Sequence, residues 1–139
     1  MKLRTLIVAI LCVLLYPDPI ISSLFELCEQ IDFYSSSKLL HCLDYDDYGC
    51  WCGPGGSGTP VDGSDACCRD HDHCYDNILR NHKCNPYLAH YQFHKGQCLN
   101  EPGSCLYNLC KCDQAISICL SKNKYHFKYY GWRVFYKCR

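Results

Sequence analysis

The sequence predicts a small, mainly α-helical, disulfide-rich domain with two long antiparallel helices, an N-terminal helix and a small β-hairpin. Cysteine supplies 15 of the 139 residues, a density typical of small exported domains. Two long segments, residues 66–81 and 104–122, contain neither Gly nor Pro and can form helices. Once the N-terminal leader described next is removed, the remaining domain is small, so we expect covalent staples to support its core.

Residues 1–22 have the pattern of a secretory signal peptide, which leaves 23–139 as one domain. Lys2 and Arg4 precede an apolar run over residues 6–16, and Pro17 and Pro19 follow it. The run is too short to cross a bilayer. A retained anchor or a core helix is the alternative, but no second polar-to-apolar pattern follows. We therefore expect a secreted protein.

The cysteine count also indicates disulfides. Cys12 would leave with the leader, so an even fourteen remain, which predicts seven bridges in an oxidising compartment. Zinc binding at the Cys50/Cys52 or Cys110/Cys112 pairs is the alternative, although C-x-C lacks the usual zinc-finger spacing. The formal net charge is zero, which gives no reason to expect nucleic acid or a strongly anionic partner.

Three regions surround the long helices. Leu24 to Ile31 carries apolar residues at i, i+3 and i+7, which predicts a short amphipathic helix; packing on the core is favoured over contact with lipid. Residues 44–65 are acidic and then glycine-rich and are expected to be loop. Residues 84–97 carry turn signals at Asn85-Pro86 and Lys95-Gly96, which predict a loop followed by a small hairpin. The basic, aromatic tail over 124–139 could touch membranes, but an irregular segment tied down by Cys138 is favoured.

The first long helix is predicted over Ala66 to about Asn81, with Ser64 or Asp65 as its N-cap, and the second from Ser104 to about Lys122. Their cysteines suggest a register. Positions 67 and 74 are seven apart, as are 112 and 119, so an antiparallel pair places 67 opposite 119 and 74 opposite 112. Sequence alone leaves the connectivity open.

A histidine and a carboxylate meet in this register. At 100° per residue, His71 projects toward the same side as positions 67 and 74, and hence toward the second helix. Asp113 follows Cys112 on that facing helix. Such a carboxylate can orient an imidazole as a general base.

A second carboxylate lies beside the glycine-rich loop. Asp72 is the i+4 neighbour of Cys68 on another face of the helix. If Cys68 is bonded to a loop cysteine, the loop lies against Asp72. A carboxylate together with backbone carbonyls is an oxygen-only ligand set, which suits Ca²⁺. The cysteines couple these features, because they would hold the histidine, the two carboxylates and the loop in one place.

These motifs closely resemble those of secreted phospholipases A2. Residues 48–56, YGCWCGPGG, look like the family's calcium loop; residues 67–75, CCRDHDHCY, match its active-site motif; and residues 110–113, CKCD, match its second helix. The resemblance covers Leu24 to Cys138. It implies an enzyme that hydrolyses the sn-2 ester of glycerophospholipids in membranes or micelles, with Ca²⁺ as cofactor.

The resemblance also implies roles for the catalytic residues. His71 would deprotonate the attacking water, and Asp113 would hold the imidazole in the required tautomer. Tyr75 and Tyr91 would hydrogen-bond that carboxylate. The Gly53 amide would help to stabilise the oxyanion.

By the same resemblance, Asp72 and the carbonyls of Trp51, Gly53 and Gly55 would hold the calcium. Trp51 stands where the family usually has Tyr, and because only its carbonyl would ligate, calcium binding should survive. The implied disulfides are 50–138, 52–68, 67–119, 74–112, 84–105 and 98–110. Cys42 is then the only cysteine left for Cys28, a departure from the pancreatic-type pattern.

Two rival functions follow from the same residues. A catalytically silent member could act as a receptor ligand, a toxin or a membrane-disrupting binder, but such variants commonly lose the histidine or the calcium carboxylate, and this chain keeps His71 and Asp72. A purely structural disulfide-rich protein would make the arrangement of motifs a coincidence.

Overall fold

The computed structural model of the chain describes residues 19–35, 37 and 40–139. Most of the predicted signal peptide therefore lies outside the described residues. Four α-helices, two 3-10 turns and one two-stranded sheet make up the described elements: α1 (Pro19–Tyr34), a 3-10 turn (Cys42–Tyr45), α2 (Gly63–Asn81), β1 (Phe93–His94), β2 (Gln97–Cys98), α3 (Cys105–Lys122), a second 3-10 turn (Phe127–Tyr129) and α4 (Trp132–Phe135). The predicted mainly helical class is confirmed.

The N-terminus of α2 differs from the prediction. Its N-cap is Asp62, whose side chain accepts a hydrogen bond from the Asp65 amide at 2.9 Å, so the expected cap at Ser64 or Asp65 is wrong. Asp62 does this job because the helix already begins at Gly63, three residues earlier than predicted. The predicted start of α3 is confirmed: Ser104 is its N-cap and accepts a hydrogen bond from the Tyr107 amide at 3.2 Å.

Helices α2 and α3 run antiparallel and are cross-linked twice. Cys67 bonds Cys119 and Cys74 bonds Cys112, which confirms the register read from the seven-residue spacings. The remaining bridges also pair as expected: 28–42, 50–138, 52–68, 84–105 and 98–110. All seven predicted disulfides are present.

Helix α1 packs on the core with one face. Ile31 is buried in a cluster with Tyr48, Ile116 and Leu120, so the expectation that this helix packs on the domain is confirmed. Another face of the helix reaches solvent, since Phe25 is 70% exposed. Among the described residues, no helix has both the length and the apolar content needed to cross a membrane.

The hairpin and the C-terminal segment are both tied to the helical core. Strands β1 and β2 pair around Lys95 and Gly96, whose φ angles of 47° and 82° form the predicted turn. The C-terminal segment follows the glycine-rich loop: the Gly49 amide donates to the Tyr129 carbonyl at 2.9 Å. The loop and the tail are therefore one packed unit.

Candidate active site

The two long helices bring His71 and Asp113 into direct contact. His71 Nε2 lies 2.7 Å from Asp113 Oδ1, and the Asp113 side chain is fully buried. Because an ionised carboxylate can only accept, the imidazole proton lies on Nε2. Nδ1 then carries the lone pair, which is the form a general base requires.

Two tyrosine hydroxyls complete the environment of this carboxylate. Tyr75 donates to Asp113 Oδ1 at 2.8 Å and Tyr91 donates to Oδ2 at 2.7 Å. Burial, followed by the adjacent Asp113 charge, raises the pKa of Tyr75 well above its usual value, and the same two causes raise the pKa of Tyr91. Both phenols therefore stay protonated and act as donors. The structure brings all four predicted residues of this cluster together.

Gln30 of α1 extends the cluster and was missed by sequence reasoning. Its Nε2 donates to the Tyr91 hydroxyl at 2.9 Å and to the Cys110 carbonyl at 3.1 Å. Since the carbonyl can only accept, the amide nitrogen must face it, and the Tyr91 proton is left for Asp113. The sequence feature that could have identified Gln30 is its position as a polar residue between Leu27 and Ile31 on the apolar face of the helix.

The buried Asp65 side chain holds the start and the end of the glycine-rich loop by hydrogen bonds. This carboxylate is fully buried and accepts hydrogen bonds from the amides of Cys50 at 2.8 Å, Trp51 at 2.7 Å and Val61 at 2.8 Å. Gly49 lies directly against it, since a Cβ there would sit 2.3 Å from the Asp65 carboxyl carbon. This contact explains why a left-handed glycine, at φ +63°, is required at this point.

Arg133 of α4 holds the outer side of the same loop. Its guanidinium donates to the carbonyls of Pro54 at 2.7 Å and Cys52 at 3.0 Å, and to the Asp47 carboxylate at 3.0 Å. No sequence signal singled out this residue, because its position depends on how the tail folds over the loop.

Asp72 lies close to this loop. The Cys52–Cys68 disulfide ties the loop to α2 one turn before Asp72, and the Trp51 ring contacts the ring of His73, with 5.4 Å between centroids. Burial raises the pKa of Asp72, while nearby positive charges, including Arg133, oppose that rise. The disulfide therefore places the start of the loop beside the part of α2 that carries Asp72.

The donor groups at this place fit a hard cation. Within the described residues, no cluster of three or more His, Cys, Asp or Glu side chains could hold a metal, so carbonyl oxygens would have to supply most ligands. The carbonyls of Trp51, Gly53 and Gly55 accept no hydrogen bond from the part of the chain that the structure describes. Together with Asp72 they would supply an oxygen-only ligand set of the kind that Ca²⁺ prefers.

Comparisons with known proteins agree with these features. The family model described as "Phospholipase A2" matches residues 24–130. The chain is 34% identical over 128 residues to "Acidic phospholipase A2 KBf-grIB" of Bungarus fasciatus, an alignment that covers 80% of this chain and 89% of that protein.

Two further relatives match a shorter part of the chain. "Basic phospholipase A2 beta-bungarotoxin A-AL3 chain" of Bungarus multicinctus is 42% identical over 87 residues, which is 60% of this chain and 63% of that protein. "Basic phospholipase A2" of Micrurus mipartitus is 41% identical over 92 residues, which is 63% of this chain and 77% of that protein.

Proposed function

This chain belongs to the phospholipase A2 family, and from that premise we propose that it is a secreted, calcium-dependent phospholipase A2. It would hydrolyse the sn-2 ester of glycerophospholipids to a free fatty acid and a lysophospholipid. The observation that carries the proposal is the contact of His71 with the buried Asp113 carboxylate, beside a loop that offers free carbonyls.

In this proposal His71 is the general base. Its Nδ1 lone pair takes a proton from the water that attacks the ester carbonyl, and returns a proton to the leaving alcohol. Asp113 fixes the tautomer and stabilises the imidazolium that forms, as a buried carboxylate does beside a catalytic imidazole. Tyr75 and Tyr91 hold that carboxylate in place by their two hydrogen bonds.

Two groups would stabilise the negative charge on the tetrahedral intermediate. The Gly53 amide donates to the oxyanion, and loss of one such donor typically costs about 3 kcal/mol of transition-state stabilisation. A calcium ion, held by Asp72 and by the carbonyls of Trp51, Gly53 and Gly55, would supply Lewis-acid stabilisation and bind the substrate phosphate. Asp72 must be ionised to serve as a ligand.

The lipid-facing edge is proposed to include three apolar side chains. Leu24 and Phe25 at the start of the domain are exposed, and Trp51 is partly exposed on the loop. A membrane contact surface requires exposed apolar groups gathered on one edge, and these three are the candidates for that edge. The domain boundary at residue 23 and export by residues 1–22 belong to the same proposal.

The first test is fatty-acid release from phosphatidylcholine vesicles by the oxidised protein, with millimolar-range calcium and then with excess chelator. His71→Gln should abolish release and leave calcium affinity unchanged. His94→Gln is the matched control, because His94 is exposed at the hairpin and outside the cluster. Full activity in the His71 variant would sink the mechanism. No release from folded wild type would favour the silent, binding-only alternative.

A further inference from the structure

The calcium loop is exposed and glycine-rich, so something must fix its shape. Gly53 and Gly55 have φ angles of +92° and +77°, and the residues from Gly53 to Gly55 are solvent-exposed. A chain of this composition has many accessible conformations, and ordering it on binding a ligand costs affinity. Disulfides at Cys50 and Cys52 anchor the start of this stretch, and the Ser57 amide closes its far end by donating to the Cys50 carbonyl at 3.1 Å. Gly53 to Gly55 lie between these two anchors.

Arg133 takes alternate carbonyls of this loop. It donates to those of Cys52 and Pro54, which leaves the carbonyls of Trp51, Gly53 and Gly55 for the cation. The fork of the guanidinium suits this task, since it presents several N–H donors in fixed directions from one side chain. One residue thereby sorts the carbonyls of the loop into two sets.

The contact with Cys52 also fixes the oxyanion donor. The Cys52 carbonyl and the Gly53 N–H belong to one planar trans peptide group, so they point in opposite directions. Fixing the carbonyl toward the guanidinium directs the Gly53 N–H away from it. The hydrogen bond also polarises the peptide group and makes the N–H a stronger donor.

We propose that Arg133 is a positioning residue that preorganises the loop for calcium and aims the Gly53 amide at the oxyanion. The inference rests on the proposed calcium site. Preorganisation raises affinity because the ordering cost is met before the ligand arrives.

The charge of Arg133 works against this role, which makes the sign of the effect informative. A guanidinium beside a cation site repels the cation, and its ion pair with Asp47 at 3.0 Å offsets only part of that repulsion. If charge alone mattered, removing Arg133 would tighten calcium binding. If positioning dominates, removing it weakens calcium binding.

The calcium affinity of the full oxidised domain, measured by titration calorimetry, decides whether charge repulsion or positioning by Arg133 dominates. Arg133→Gln should weaken calcium binding about tenfold, a factor equivalent to about 1.4 kcal/mol and of the order of the cost of fixing one backbone residue. Arg133→Lys should be intermediate, since an ammonium donates without the fork. Lys137→Gln is the matched control: it removes one charge from the same exposed segment and should leave the affinity unchanged.

Two further measurements separate positioning from a general loss of structure. In the calcium-free protein, the NMR backbone order parameters of Gly53 and Gly55 should fall in Arg133→Gln, while those of α2 keep wild-type values. With saturating calcium, kcat should still fall in Arg133→Gln, because the aim of the Gly53 amide depends on the guanidinium rather than on occupancy.

Each outcome has a distinct meaning. If Arg133→Gln binds calcium as tightly as Lys137→Gln, or more tightly, the positioning role is overturned. If wild type binds no calcium, or if Asp72→Asn binds it as well as wild type, the proposed calcium site itself is wrong. Partial rescue by Arg133→Lys together with a normal Lys137→Gln supports the inference.

Discussion

Replacement of Asp65 by Asn tests how the base of the glycine-rich loop is held. The wild-type carboxylate accepts three backbone amides: Oδ2 receives those of Cys50 and Val61, and Oδ1 receives that of Trp51. An amide side chain has one acceptor oxygen. Placed where Oδ2 lies, that oxygen keeps two bonds, and the NH₂ group then faces the N–H of Trp51.

The magnitude follows from the bonds lost. One hydrogen bond to a charged group contributes about 1.5–3 kcal/mol, and the two that remain weaken because the acceptor is no longer ionised. The disulfides of the loop prevent it from detaching, so the defect cannot be relieved by local movement alone. We expect Asp65→Asn to lower the free energy of unfolding by about 2–4 kcal/mol.

Denaturant unfolding with the disulfides intact measures this quantity. Asp70→Asn is the matched control on the same helix, because Asp70 is exposed and, within the described part of the chain, its carboxylate pairs with Arg69 alone. This substitution should change stability by about 0.5 kcal/mol or less. If Asp65→Asn is as stable as Asp70→Asn, the buried carboxylate does not brace the loop and the reasoning fails.

Three other predictions concern Gln30 of α1, the Tyr75 hydroxyl and the Cys28–Cys42 disulfide. Gln30→Met removes the hydrogen bonds that Gln30 donates to Tyr91 and Cys110, which is unfavourable, but it also removes the buried acceptor Oε1, which has no donor among the described residues. Because these effects oppose each other, the free energy of unfolding should fall by about 1 kcal/mol or less. A denaturation curve measures this change, and a loss several times larger would contradict the prediction. The pKa of Tyr75 is raised in the folded state, so its contribution to stability is full at neutral pH and is lost as the pH rises above the unfolded pKa of about 10. The free energy of unfolding of Tyr75→Phe should therefore fall less than that of wild type between neutral pH and a pH above about 10, as measured by thermal melts. An equal fall in both proteins would refute the raised pKa. Replacing Cys28 and Cys42 by Ser opens a loop with a sequence separation of 14 and should cost about 3 kcal/mol, seen as a lower melting temperature with no change in calcium affinity.

The sequence predicted the parts of the fold that depend on periodicity. The seven-residue cysteine spacings in α2 and α3 specify a face on each helix, and His71 and Asp113 follow from that face. The contact of His71 Nε2 with Asp113 is thus a consequence of helical geometry and two disulfides. The hairpin turn at Lys95-Gly96 was predictable for a similar reason, because turn chemistry is local.

The features that the sequence did not reveal depend on tertiary contacts. Asp62, Ser64 and Asp65 are all good N-caps, and only the packing of the loop shows that Asp65 is buried beneath it while Asp62 caps the helix. Gln30 gains its meaning from Tyr91, 61 residues away along the chain. Arg133 gains its meaning from carbonyls 79 and 81 residues away. No local pattern encodes such distances.

Asp65 and Arg133 act on opposite sides of the glycine-rich loop. Asp65 accepts amide hydrogens at the base of the loop, and Arg133 donates to alternate carbonyls at its exposed side. The backbone groups left over include the carbonyls and the amide that we propose for the cation and the oxyanion. A carboxylate takes donors and a guanidinium takes acceptors, and neither can exchange roles. Loss of Asp65 should therefore mainly lower the free energy of unfolding, because its hydrogen bonds are buried. Loss of Arg133 should mainly lower calcium affinity, because its hydrogen bonds hold an exposed part of the loop that contributes little to the free energy of unfolding.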